Sequence, residues 1–234
     1  MAVLTPEQLI PRLEALRNEA VAARNELRAI YPGLPNDDPR VVVGRHIKAV
    51  ISSSYLSLIH VHENLQEPAW WHRQGFGAAV ANGNVPDELN DYMVLLTAGL
   101  IVYPFSLFEA GLRRIVRAID PTACSRGATD FKGIYDWLFA RLRQDGWAYA
   151  GGEAVEFLDL YRNIRNTVHN NGKFYSRTAT DAVVTWKGNR HEFIHGAVPP
   201  FVEWDFNLRL LCELVRLNRD LMEAPAIGRL PPIP

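Results

Sequence analysis

The sequence predicts an all-α protein, a bundle of about five to six helices with a short β-hairpin inserted before the last one. Three observations predict it. Apolar residues recur at three- and four-residue steps along most of the chain. Alternating β-type sequence is confined to one short stretch, residues 183–194. Finally, 234 residues that are 48% hydrophobic and 22% charged can bury a sizeable core, which excludes disordered and fibrous classes.

The first helix opens at Thr5-Pro6-Glu7-Gln8, where an N-cap hydroxyl, an early proline and a Gln three residues on form a capping box. It runs toward Ile30 with Leu9, Leu13, Leu16, Ala20, Ala23 and Leu27 on one side, and Pro11 argues for a slightly later start. The proline-rich run 31–39 is a stop and a loop. A second helix covers about residues 40–65, with Val43, Ile47, Val50, Tyr55, Leu58 and Val61 inward, and Glu67-Pro68 ends it. Residues 69–86 read as an irregular connection. Further helices follow at about 87–119, kinked at Pro104, at 131–143 and at 153–170. Residues 183–186 and 190–194, joined by Lys187-Gly188-Asn189, form the hairpin. The last helix spans about 203–222, with Phe206, Leu210, Leu214 and Leu217 inward, and an extended proline-rich tail closes the sequence. The organisation is a single domain, 1–234: helix and loop (1–38), bundle core (39–172), hairpin insertion (173–202), C-terminal helix (203–223) and tail (224–234).

Twenty-five Lys+Arg against 26 Asp+Glu exclude a strongly basic nucleic-acid coat, though not a local basic groove. Cys124 and Cys212 are too few for a disulfide framework or a cysteine zinc cluster, and point to a reducing compartment. No signal-peptide pattern precedes Glu7. The longest charge-free run, residues 92–108, is interrupted by Thr97, Gly99, Pro104 and Ser106 and reads as a buried helix. A cytoplasmic protein without membrane contact is expected.

The informative segment is Tyr161-Arg162-Asn163-Ile164-Arg165-Asn166-Thr167-Val168-His169-Asn170-Asn171-Gly172. At about 100° per residue, Arg162 and His169 fall about 20° apart after two turns, and Arg165 and His169 about 40° apart. Two guanidiniums and an imidazole therefore share one stripe, an arrangement suited to an anion such as a phosphodiester. Phe157, Leu160, Tyr161, Ile164 and Val168 cluster on another side and face the core, and Gly172 terminates the helix. The same spacing also describes an ordinary solvated, capped helix face.

This run, late in an all-helical domain, resembles the HEPN superfamily (higher eukaryotes and prokaryotes nucleotide-binding). Its mark is an Arg followed by a polar residue, then a His after four to six intervening residues. Arg162-Asn163 with His169 fits that mark, whereas Arg165-Asn166, with three residues before His169, falls outside it. Glu109, four residues before Arg113 on the long helix, looks like the auxiliary polar pair of some HEPN groups. The resemblance makes Glu109 a group that orients Arg162 or the imidazole, where an ordinary i,i+4 surface pair is the plain alternative.

The resemblance implies a HEPN-like bundle and a metal-independent endoribonuclease acting as a homodimer, with neither cofactor nor metal. It further implies a toxin or defence effector, with an antitoxin or other regulatory protein as a possible partner. Arg162, His169 and Arg165 are then the catalytic candidates, supported by Asn163, Asn166, Glu109 and Asn170. His169 would move protons, since imidazole titrates near neutral pH. The arginines would stabilise charge on the phosphate, and Asn163 and Asn166 would donate to phosphate or sugar. A HEPN subgroup paired with a nucleotidyltransferase antitoxin carries a Tyr two residues after the His. Asn171 occupies that position here, so nucleotidylation there is not supported. The alternative function is a non-catalytic HEPN module that binds RNA, a nucleotide or a protein partner.

Other motifs weigh less. His191-Glu192-Phe193-Ile194-His195 matches the zinc-peptidase pattern, with Glu213 as a third ligand, but that pattern needs a helix. On a strand its histidines stand roughly 13 Å apart. His60 and His62 diverge on a helix, and Trp70-Trp71-His72-Arg73 reads as a packed loop anchor before a base-stacking site.

Overall fold

A computed structural model describes residues 5–75, 87–123, 130–149 and 153–234. Helix α1 (Pro6–Ile30) starts where the capping residues place it, with Gln8 Oε1 accepting from the Thr5 N–H at 3.0 Å. Pro11, the sixth residue of α1, does not delay it: the helix starts at Pro6 and runs on through the inner proline. Its six inward residues are all buried, and it packs on α2 and α7. Helix α2 (Pro39–His60) has proline in its first turn and is capped by Asp38, which accepts from the Arg40 N–H at 3.0 Å. It continues into one π-helical turn, Val61–Leu65.

The irregular connection read from residue 69 onward is corrected at its start. Pro68–Arg73 form a short helix, α3, because Trp71 inserts into a small apolar cluster with Val61, Leu65 and Leu89 and donates its indole N–H to Leu65 O at 2.8 Å. Trp70 meets both Trp71 and His60 edge-on, so the aromatic pair anchors this segment. The Asn82–Pro86 run and Cys124 lie outside the described residues.

Helix α4 (Asp87–Ile119) runs on through Pro104. It crosses α2 closely at Gly111, where a Cβ would collide with Val43. Among the described residues it is the one helix long and apolar enough to cross a membrane, with mean hydropathy 1.7 over its most apolar window. The expected burial of residues 92–108 holds only in part. Leu100, Ile101, Phe105 and Phe108 are core, whereas Val94 and Leu95 are 68% and 70% exposed.

Helices α5 (Phe131–Gln144) and α6 (Ala154–His169) pack against α4 and against each other. Strands β1 (Ala182–Trp186) and β2 (Asn189–Phe193) pair antiparallel, Ala182 opposite Phe193 and Trp186 opposite Asn189. Lys187 and Gly188 both have positive φ, the geometry of a two-residue hairpin turn. The buried carboxylate of Glu213 on α7 (Trp204–Met222) accepts from Lys187 Nζ at 2.6 Å and Tyr149 Oη at 2.7 Å, which fastens the hairpin turn to the bundle.

The tail is not simply extended. Pro225–Gly228 form a helical turn, α8, and Ile227 and Ile233 are buried. Its anchor is the fully buried pair Asp38–Arg40. Arg40 donates to the carbonyls of Leu230 (2.7 Å) and Pro231 (2.9 Å) and to Asp38 (2.7 Å), while Asp38 accepts from the Ile233 N–H (2.9 Å). Burial alone would raise the Asp38 carboxyl, but these hydrogen bonds outweigh it and hold the group below its ordinary value.

Candidate active site on helix α6

Helix α6 contains the Arg162–His169 segment and ends with it. Phe157, Leu160, Tyr161 and Ile164 are fully buried, and the Tyr161 hydroxyl donates to Ile101 O at 3.1 Å, which fixes the rotation of α6 against α4. That rotation leaves His169 exposed at the last helical position, with no hydrogen-bond partner among the described residues. The side chains of Arg162 and Arg165 are each 28% exposed, with their Nε atoms buried and unpartnered.

Each arginine is held by one carboxylate. Arg165 Nη2 lies 3.4 Å from Glu109 Oε2, and its guanidinium sits 5.9 Å from the Phe105 ring centroid. Glu109 also accepts from Arg113 at 2.7 and 3.0 Å. It is therefore both the i,i+4 pair and an inter-helix tether, but the arginine it reaches is Arg165, in place of Arg162 or the imidazole. Arg162 instead faces Asp159 at 3.4 Å.

Asp159 was not singled out in the sequence, although it lies three residues before Arg162 on the same helix side. It also accepts from Tyr135 Oη and from Lys132 Nζ at 3.0 Å. Burial, and then the bond to Asp159, pushes the Tyr135 hydroxyl well above its ordinary value, which keeps it a donor. Burial would lower the Lys132 ammonium, but Asp159 outweighs it and raises the group.

The asparagines divide. Asn163, expected to donate to phosphate or sugar, is 8% exposed and turns inward, since it lies about 100° round the helix from Arg162. It is withdrawn as a ligand contact. Asn166 is half-buried, its Oδ1 accepting from Arg165 at 3.2 Å. Asn170 donates to Asn166 O at 2.8 Å and so closes the helix end. The left-handed position after the helix is taken by Asn171 (φ 54°) as well as Gly172 (φ 82°), and the Gly172 N–H bonds Thr167 O at 3.0 Å.

The competing motifs go separate ways. His191 lies on β2, buried between Phe201 and Phe206, whereas His195 follows the strand and accepts from the Ser176 N–H at 3.3 Å. Glu213 is engaged by Tyr149 and Lys187, so these three side chains serve different surroundings. Among the described residues no group of three His, Cys, Asp or Glu could hold a metal ion. Comparison with family models, curated proteins and solved structures finds no match to this chain.

Proposed function

We propose that the protein is a HEPN-type, metal-independent endoribonuclease, working in the cytoplasm as a toxin or defence effector. The observation that carries this reading is the exposed, unpartnered imidazole of His169 on the same helix stripe as two partly exposed guanidiniums. In the reaction the 2′-oxygen of RNA attacks the adjacent phosphorus while His169 takes the 2′-hydroxyl proton. The phosphorus–5′-oxygen bond breaks, the leaving oxygen gains a proton, and the products are a 2′,3′-cyclic phosphate and a 5′-hydroxyl. Arg162 and Arg165 would stabilise charge on the non-bridging oxygens. One imidazole can act as base and acid only in turn, so a second copy of the chain bringing its own His169 would complete the site.

The test is cleavage of end-labelled RNA in EDTA. His169→Ala and Arg162→Ala are each expected to abolish cutting while leaving the helical CD spectrum intact. Wild-type cutting by either variant overturns the assignment. A binding-only HEPN module is the second reading, favoured by the carboxylates of Asp159 and Glu109, which already offset the charge of both arginines. RNA retarded but left intact by the wild-type protein would select it.

A further inference from the structure

A second concentration of positive charge lies away from α6. Helices α1 and α2 pack against each other and are joined by the loop 31–38. Beside that loop is a pocket of about 230 Å³, lined by Arg24, Asn25 and Arg28 from α1, Asn36 from the loop, and Val41 and Arg45 from α2. Arg24 is half-buried and Arg28 and Arg45 are exposed, so an ion can reach them from solvent. The wall carries no acidic and no aromatic side chain.

Arg24 and Arg28 stand one helical turn apart on the same side of α1. Like charges at that spacing destabilise a helix unless something neutralises them. Their hydrogen bonds go to uncharged groups. Arg24 donates to Asn25 Oδ1 at 3.2 Å and Arg28 to Leu34 O at 3.4 Å, while Arg45 faces His46 Nε2 at 3.4 Å. The acids of the same α1 stretch are spent elsewhere, Glu19 on Arg216 at 2.7 Å and Glu26 on Arg219 at 3.2 Å, and α2 contains no Asp or Glu. Among the described residues, no carboxylate pairs with any of the three guanidiniums.

Size and charge define what such a pocket takes. At ~30 Å³ per water it holds about eight water-sized groups. A phosphate or a diphosphate fits that space, whereas a nucleotide overfills it and finds no ring to stack on. Guanidinium forks match the paired oxygens of such ions, and the amides of Asn25 and Asn36 add uncharged donors. Three positive charges favour a polyvalent anion over chloride or a single carboxylate.

We propose that this pocket is a binding site for a compact polyvalent oxyanion, phosphate or diphosphate. The assignment does not rest on the ribonuclease reading. Helix α6 packs mainly on α4, α5 and β1, whereas the α1–α2 pair lies against α4 and α7.

The test is calorimetric titration of the full chain with diphosphate at fixed ionic strength, with acetate as the control anion. Diphosphate is expected to bind saturably and acetate not at all. The double change Arg24→Gln, Arg45→Gln keeps good helix formers and is expected to weaken diphosphate about tenfold or more. Asn36→Asp puts a carboxylate on the wall without touching either helix and is expected to weaken it about fivefold, which keeps the test decisive if the double variant misfolds. Arg162→Ala is expected to retain the binding. No saturable binding, or binding that survives both sets of changes, overturns the proposal. So does binding lost in Arg162→Ala alone, since the ion would then sit on the α6 stripe. RNA cleavage or retardation weakened by the double change also overturns it, because the cluster would then belong to an RNA track. Diphosphate binding at this pocket in a protein that cuts no RNA supports the site and defeats the nuclease reading alone.

Discussion

Arg162, Arg165 and His169 show how differently neighbours on one stripe are treated. The imidazole stands free, while each guanidinium is tied to a carboxylate from a different source, Asp159 on its own helix and Glu109 across the α4 contact. Glu109 is argued to act through Arg165, so it is a positioning residue. Glu109→Ala is expected to lower RNA cleavage about tenfold or more, because a misplaced group loses much of its effect on the barrier. Arg113→Ala, which removes the partly exposed i,i+4 partner of Glu109, is expected to change cleavage by less than about twofold. Equal losses in single-turnover assays of the two variants would deny Glu109 its specific role. At this scale the sequence was legible where helix periodicity alone decides the matter. The stripe follows from steps of four and seven, whereas Asn163 was misjudged because the residue next to an exposed Arg lies a quarter-turn inward. Asp159 needed α5 in place before its partners Tyr135 and Lys132 could be seen.

The helices were legible because periodicity and end signals agreed, as at Thr5 through Gln8. The hairpin, too, was readable from Lys187-Gly188. Helix α3 was not, since the tertiary insertion of Trp71, and no local signal beyond Pro68, creates it. The hairpin carries a consequence for pH. His191 on β2 is buried against Phe201 and Phe206, and burial, followed by the charge of Arg209, lowers its pKa below the ordinary 6.5. The unfolded chain therefore takes up this proton more readily than the folded one. Stability from this residue is full above about pH 6.5 and falls as pH drops through the lowered folded value. His191→Phe is expected to flatten the decline in thermal midpoint between about pH 7.5 and 5.5. Part of the slope should persist, because burial and Arg45 lower His46 in the same direction. An unchanged slope in the variant would contradict the packing argument.

Across the whole molecule, an ion pair at the start of α2 holds the last stretch of chain. Asp38 and Arg40 are 0% and 1% exposed, with partners at Ile227, Leu230, Pro231 and Ile233. Asp38→Ala leaves a buried guanidinium without its counter-charge and is expected to cost about 3–5 kcal/mol, measured as the shift in urea-unfolding free energy. A loss within about 0.5 kcal/mol, the range of ordinary surface changes, would show the pair to be expendable. None of this was readable in the sequence. Residues 31–39 read as a stop and a loop, and nothing local says that Arg40 folds back to meet carbonyls some 190 residues later.

The same clasp sets an order on biosynthesis. Arg40 leaves the ribosome early and must stay hydrated, without its carbonyl partners, until the segment after Met222 has been translated and has cleared the exit tunnel. Until then the nascent α1–α2 layer lacks both its α7 cover and its lock. Premature termination before that point would yield a chain whose first helices fold loosely and become prey for chaperones or proteases.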